Sequence, residues 1–224
     1  MRVLAIVLFA FVALPSIFQQ DRNAQNPALP RKPFTLTQVW TLDATYSDEQ
    51  HGVTFRYPRI WDSTTQFGYN PGALTLMTPT LTAGFGYRED GFPRSQIVGP
   101  YSTTNLEGFG IVYLAISTAS AFECEAKASS VSDVHQPTTI EIADRSYSVR
   151  ESGESGMSQS TAGNLYATYA RPTCYLFETD VALASPEVVG VIRALTPAQL
   201  RFINAHLLTI MKSVRIVASE GKTD

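Results

Sequence analysis

The sequence predicts an α+β fold: a single domain made of a twisted antiparallel β-sheet, with a C-terminal helix packed on one face and a second short helix. Three observations predict it. Short stretches that alternate apolar and polar side chains recur through most of the chain. One long helical pattern stands near the C-terminus. No internal repeat and no regular strand–helix rhythm is present, which argues against a doubly wound nucleotide-binding fold.

Residues 1–18 carry one charge, Arg2, ahead of an unbroken apolar run from Val3 to Leu14, followed by Pro15 and Ser16. That is the pattern of a secretory signal peptide. The run is short of the roughly 20 residues a spanning helix needs, and Pro15 interrupts it. An extracytoplasmic protein, periplasmic or secreted, is therefore expected, meeting the membrane only through this segment before cleavage. Residues 19–36 are polar and rich in Pro, Gln and Asn, and read as a disordered linker. The folded domain is expected over 37–217, with a loose tail at 218–224.

Within the domain, Val39–Thr45 reads as a first strand. Val53–Tyr57 alternates cleanly, Val53, Phe55 and Tyr57 against Thr54 and Arg56, and Pro58 stops it. Ala73–Met77 and Ile111–Ser117 are further strands. Residues 138–151 form a hairpin turning near Ala143-Asp144. Leu165–Ala170 and Cys174–Val181 form a second around Arg171-Pro172, and Val214–Val217 is a last short strand. The stronger helix runs from Pro197 to Lys212. Thr196 is its N-cap, Pro197 suits the first helical position, Gln199 completes a capping box, and Leu200, Ile203, Leu207, Ile210 and Met211 recur at helical spacing. The weaker helix, Ser120–Val131, is Ala-rich and carries Cys124.

The chain has 224 residues, 44% of them hydrophobic, and enough remain after loss of a signal to bury a real core. Its net charge of −3, with no basic cluster beyond Arg31-Lys32, argues against nucleic acid as a partner. Two cysteines, Cys124 and Cys174, in a chain sent to an oxidising compartment read as a disulfide rather than two free thiols. Neither their spacing nor the scattered His51, His135 and His206 resembles a zinc pattern, and no metal or cofactor is expected.

Catalytic motifs are thin. Gly153-Glu154-Ser155-Gly156 falls one residue short of a nucleophile elbow and lies in a loop-like stretch. His206 sits mid-helix and reads as a surface or satisfied histidine. Asp48-Glu49 beside His51, in a turn, and Glu123 and Glu125 around Cys124 read as solvated surface charge. Residues 66–93 are denser in Gly, Pro and aromatics. Phe67, Tyr69, Phe85, Tyr87 and Phe92 either pack beneath their loops or form a binding face, with Arg88, Glu89 and Asp90 as its polar rim.

Gly52-Val53-Thr54-Phe55-Arg56-Tyr57-Pro58, followed by Trp61, resembles the start of the PsbP-like fold, which includes the extrinsic PsbP subunits of photosystem II and the Ran-binding Mog proteins. The hairpin at Cys174-Tyr175, the following helix and Ser213-Val214-Arg215-Ile216 resemble the close of such domains. Ile140–Tyr147 and Asn164–Phe177 resemble secreted bacterial domains of unassigned role. The resemblance implies a non-catalytic binding or assembly module, not an enzyme, with an unidentified protein or a small apolar ligand as partner. No ligand-contacting set carries across residue for residue. The rival reading is an envelope-associated hydrolase whose site is built from scattered carboxylates and Ser/Thr, which needs titratable groups converging in one place.

Overall fold

Polar caps and apolar alternation divide much of the described chain as the sequence suggests, but the first expected strand is replaced by a helix, a strand at Asp62–Thr64 is additional, and the strands expected at Ile111–Ser117 and Leu165–Ala170 begin earlier, at Leu106 and Gln159. The computed structural model describes residues 35–64, 73–77, 101, 104–130, 136–153, 155, 159–184 and 193–217, all of which belong to one compact unit, Lys32–Asp224. The strand expected at Val39–Thr45 is not formed there. Thr35 instead caps a short helix, α1, at Leu36–Trp40. Its hydroxyl accepts from the Gln38 N–H, and Gln38 Oε1 accepts in return from the Thr35 N–H at 3.0 Å. This reciprocal box satisfies donors that a helix start leaves open. Val39 is then fully buried on the helix rather than on a strand.

The remaining elements are β1 (Ala44–Asp48), β2 (Val53–Tyr57), β3 (Asp62–Thr64), β4 (Leu74–Met77), β5 (Leu106–Ser117), α2 (Ala121–Ser129), β6 (Thr138–Ile142), β7 (Arg145–Ser152), β8 (Gln159–Ala170), β9 (Thr173–Ala184), α3 (Pro197–Lys212) and β10 (Arg215–Ile216). The architecture is α+β, but it holds two antiparallel sheets where a single one is expected from the sequence. One has the order β1-β2-β10, and the other β3-β4-β5-β9-β8-β7-β6. Alternation within a strand shows that it has two faces; it carries no information about which other strands it joins.

The period of two sorts the large sheet. Phe109, Ile111 and Tyr113 of β5, Tyr175, Phe177 and Val181 of β9, Tyr166 of β8 and Tyr147 of β7 enter one core with Val53 and Phe55 of β2. Ile203, Leu207, Ile210 and Met211 of α3 close that core, so the apolar stripe read at helical spacing is the buried one. The alternate residues Leu165, Ala167, Cys174 and Leu176 form a second cluster on the opposite face, covered by Cys124 and Ala128 of α2. The hairpin β6–β7 turns at Ala143-Asp144 and β8–β9 turns at Arg171-Pro172, as expected.

Gly52 explains part of the sequence pattern. It sits at φ 67°, in the left-handed region, at the start of β2, where its carbonyl accepts from the Val217 N–H at 2.9 Å. A Cβ there would lie 2.3 Å from the Val217 carbonyl oxygen. Gly52→Ala should therefore destabilise the domain by about 1–3 kcal/mol, read as a lower denaturation midpoint with an unchanged slope. In the core, Leu207→Ala should cost about 2–5 kcal/mol by leaving a cavity under α3, measured in the same way.

Candidate functional site

Functional side chains gather at two places along the seam between the sheets, and both are supported by β5. The first is the turn joining β1 to β2. Asp48 ends β1, and its Oδ1 accepts the backbone N–H of His51 at 3.1 Å. Its Oδ2 lies 2.7 Å from His51 Nδ1 and accepts the Tyr113 hydroxyl of β5 at 3.0 Å. The Tyr175 hydroxyl of β9 donates to the His51 carbonyl at 2.9 Å. His51 is thus held at its amide, its carbonyl and its ring.

Electrostatics fix the charge state of Asp48 and of the phenols around it. Burial pushes the Asp48 carboxyl up, but the hydrogen bonds from the His51 ring, the His51 amide and Tyr113 outweigh it and hold Asp48 below its usual value. Asp48 is therefore a carboxylate and only accepts, so Nδ1 of His51 carries the proton. Burial and the neighbouring Asp48 charge push the Tyr113 phenol far up, which keeps it a donor. Burial and Asp48 also raise Tyr46, whose ring stands edge-on to Tyr113 at 5.8 Å. Asp48 and His51 are not the solvated turn charges expected from the sequence; their side chains are 16% and 29% exposed. The difference arises because Tyr113 and Tyr175, distant in sequence, present hydroxyls to the turn.

The second place is aromatic. Trp40, at the end of α1, lies flat on Phe109 of β5 with centroids 4.4 Å apart and planes 7° apart. His206 of α3 packs against Trp40 at 4.4 Å with its plane tilted by 36°, and Phe202 packs on His206 at 4.2 Å and edge-on to Trp40 at 6.3 Å. His206 Nδ1 donates to the Phe202 carbonyl at 2.9 Å, so this histidine is satisfied, as expected. Phe202 remains 48% exposed. Trp40 was expected on a strand, so sequence reasoning missed this face; the capping box at Thr35 and Gln38 was the available signal.

The loop aromatics Phe67, Tyr69, Phe85, Tyr87 and Phe92, their rim Arg88, Glu89 and Asp90, and His135 lie outside the described residues. Ser155 is exposed beside β8 in an isolated bridge to Ser160. Cys124 and Cys174 are bonded, with Cα atoms 5.2 Å apart, and tie α2 to β9. The two glutamates around Cys124 are not merely solvated: Glu123 accepts the Ala119 N–H at 2.7 Å before α2, and Glu125 pairs at 2.7 Å with the buried Arg150 of β7. Among the described residues no three His, Cys, Asp or Glu side chains come together to hold a metal.

No family model matches the chain, and no curated protein matches it. Solved structures do show similarity. One is a Bacteroides thetaiotaomicron protein determined at 1.50 Å, with TM-score 0.41 and 10% identity, covering 81% of this chain and 51% of that one. A second is cyanobacterial PsbP (CyanoP) from Synechocystis sp. PCC 6803, with TM-score 0.41 and 13% identity over 78% of this chain and 92% of that chain. A third is the Saccharomyces cerevisiae Ran-binding protein Mog1p, with TM-score 0.43 and 10% identity over 79% and 96%. The chain spans about half the length of the Bacteroides protein. The PsbP and Mog types are those the sequence resembles. Likeness of this degree concerns the course of the chain and carries nothing about chemistry.

Two outcomes follow. The Asp48 carboxyl is held low, so its contribution is present above its unfolded value near 3.8 and is lost as pH falls through the lower folded value. The stability difference between wild type and Asp48→Asn should accordingly be larger at neutral pH than at pH 3, measured by denaturation at both. Reducing the Cys124–Cys174 bridge, whose partners are 50 residues apart, should cost about 4 kcal/mol in the chain-entropy account, read as a lower melting temperature with a thiol reductant.

Proposed function

We propose that the protein is an extracytoplasmic binding module whose recognition face is the ring cluster Trp40, His206 and Phe202. The observation that carries this reading is the half-exposed Phe202, which packs on both His206 and Trp40 in a ring cluster anchored on Phe109 in the core. Rings fixed in this way offer apolar contact area without losing rotamer freedom on binding, and aromatic anchors supply much of the energy of protein interfaces. The partner fitted by such a face is a protein or a small ligand with an apolar group. The Cys124–Cys174 bridge supports an oxidising compartment; a signal peptide at residues 1–18 is part of the same proposal. The loop aromatics Phe67, Tyr69, Phe85, Tyr87 and Phe92 are proposed as a further contact region.

Phe202→Asp tests the reading. The side chain is half-exposed and gives up its ring contacts with His206 and Trp40, so stability should fall by about 1 kcal/mol and leave the domain folded. In capture from envelope extract, species retained by the wild-type protein should be lost with Phe202→Asp. An identical retained set for both proteins, each folded by its melt, would remove Trp40, His206 and Phe202 as the recognition face.

A further inference from the structure

The Asp48–His51 pair is the one place among the described residues where a histidine ring is bonded to a carboxylate. We propose that His51 is a general base that draws a proton from water attacking the carbonyl of a small carboxylic ester. This goes beyond the binding function and stands on different residues.

The geometry carries the inference. With Asp48 ionised, Nδ1 is the donor, and in the neutral ring the lone pair is then on Nε2, which makes no hydrogen bond among the described residues. The side chain is 29% exposed, and its Nδ1 faces Asp48 rather than solvent. The anion behind Nδ1 stabilises the imidazolium that forms when Nε2 takes a proton, which is the part a buried aspartate plays in a hydrolase triad. Preorganisation is unusual for a turn residue: the His51 amide, carbonyl and ring are each pinned, by Asp48 Oδ1, Tyr175 and Asp48 Oδ2. His206 offers the contrast, since its Nδ1 is bonded to a neutral helix carbonyl and its ring packs, tilted, against both Trp40 and Phe202.

Among the described residues, the charged and titratable groups around the pair are few. Tyr46 of β1, Tyr113 of β5 and Tyr175 of β9 are phenols raised by burial, hence neutral donors. Arg145 of β7 lies near Tyr175, and Glu49 is next to Asp48 on the turn. In the reaction, the water oxygen forms a bond to the acyl carbon as its proton passes to Nε2. The acyl C–O bond then breaks, the alkoxide or phenoxide leaves with the electron pair, and Nε2 returns the proton to it. Ester and water give acid and alcohol, and no other reactant is consumed.

Hydrolysis of p-nitrophenyl acetate by the full chain tests this. The wild-type protein should exceed an equal concentration of free imidazole, and His51→Gln should lower kcat by about 100-fold, a common worth of a general base. Asp48 is a positioning residue: Asp48→Asn should lower kcat by about 10-fold with KM unchanged. Added imidazole should restore activity to a folded His51→Gly and not to Asp48→Asn. If the His51 variants do not fold, carbethoxylation of the wild-type protein, located at His51 by mass spectrometry, should abolish hydrolysis. Hydrolysis no faster than free imidazole, or unchanged after His51 is modified, would overturn the assignment. Neither result bears on capture by the Phe202 face.

Discussion

Phe55 of β2 is the contact on which the rest depends. Its ring meets Tyr113 and Phe177 of the large sheet at 6.3 Å each, edge to face, and Tyr46 of the neighbouring strand at 5.0 Å. Phe177 in turn stacks on Tyr113 at 5.0 Å and meets Tyr147 of β7 edge-on. A strand of five residues cannot be stable as part of an isolated hairpin. It is held because these rings remove its apolar face from water and gain edge-to-face attraction beyond burial. Without this cluster the small sheet has nothing to lie on, and α3 loses one side of its seat.

The seam so made has two ends, and β5 serves both. Phe109 and Tyr113 point to the same face of that strand four residues apart, a separation of roughly 13 Å at the usual rise. Phe109 backs the Trp40 stack. Tyr113 keeps its ring in the core and sends its hydroxyl to Asp48. A phenol can do this because it is apolar along its length and polar at its tip. One strand therefore supports a partly exposed aromatic cluster at one end of the seam and an ordered carboxylate–imidazole pair at the other.

The opposite face of the large sheet solves a different problem. A nine-residue helix is too short to be stable by itself, yet α2 must cover Leu165, Ala167 and Leu176. It is fixed by the Cys124–Cys174 bond and, one residue on, by Glu125 reaching the Arg150 guanidinium. The two tethers leave α2 from adjacent positions toward β9 and β7, so the helix is held across three strands, with β8 beneath it. The charge pair joins a 5% exposed arginine to a 43% exposed glutamate; cutting only the glutamate leaves a buried cation, which is why such pairs matter more when broken than when absent.

By itself the sequence determined those features whose cause is local. The capping box and apolar spacing of α3, the alternation of β2, the turn at Ala143-Asp144 and the α+β class were legible because each depends on neighbours within a few residues. The disulfide was legible because the chain has two cysteines, which allow a single pairing. The start of the chain was misread: Val39, Trp40, Leu42 and Ala44 look half-extended until Thr35 and Gln38 are weighed as a cap. Tertiary structure alone decided that the strands divide into two sheets, since pairing partners are not encoded in alternation. It also decided that Asp48 and His51 are more than surface charges. Their state is set by hydroxyls from Tyr113 and Tyr175, 65 and 124 residues away along the chain, and an interaction over that distance exists only once hydrophobic burial has brought the strands together.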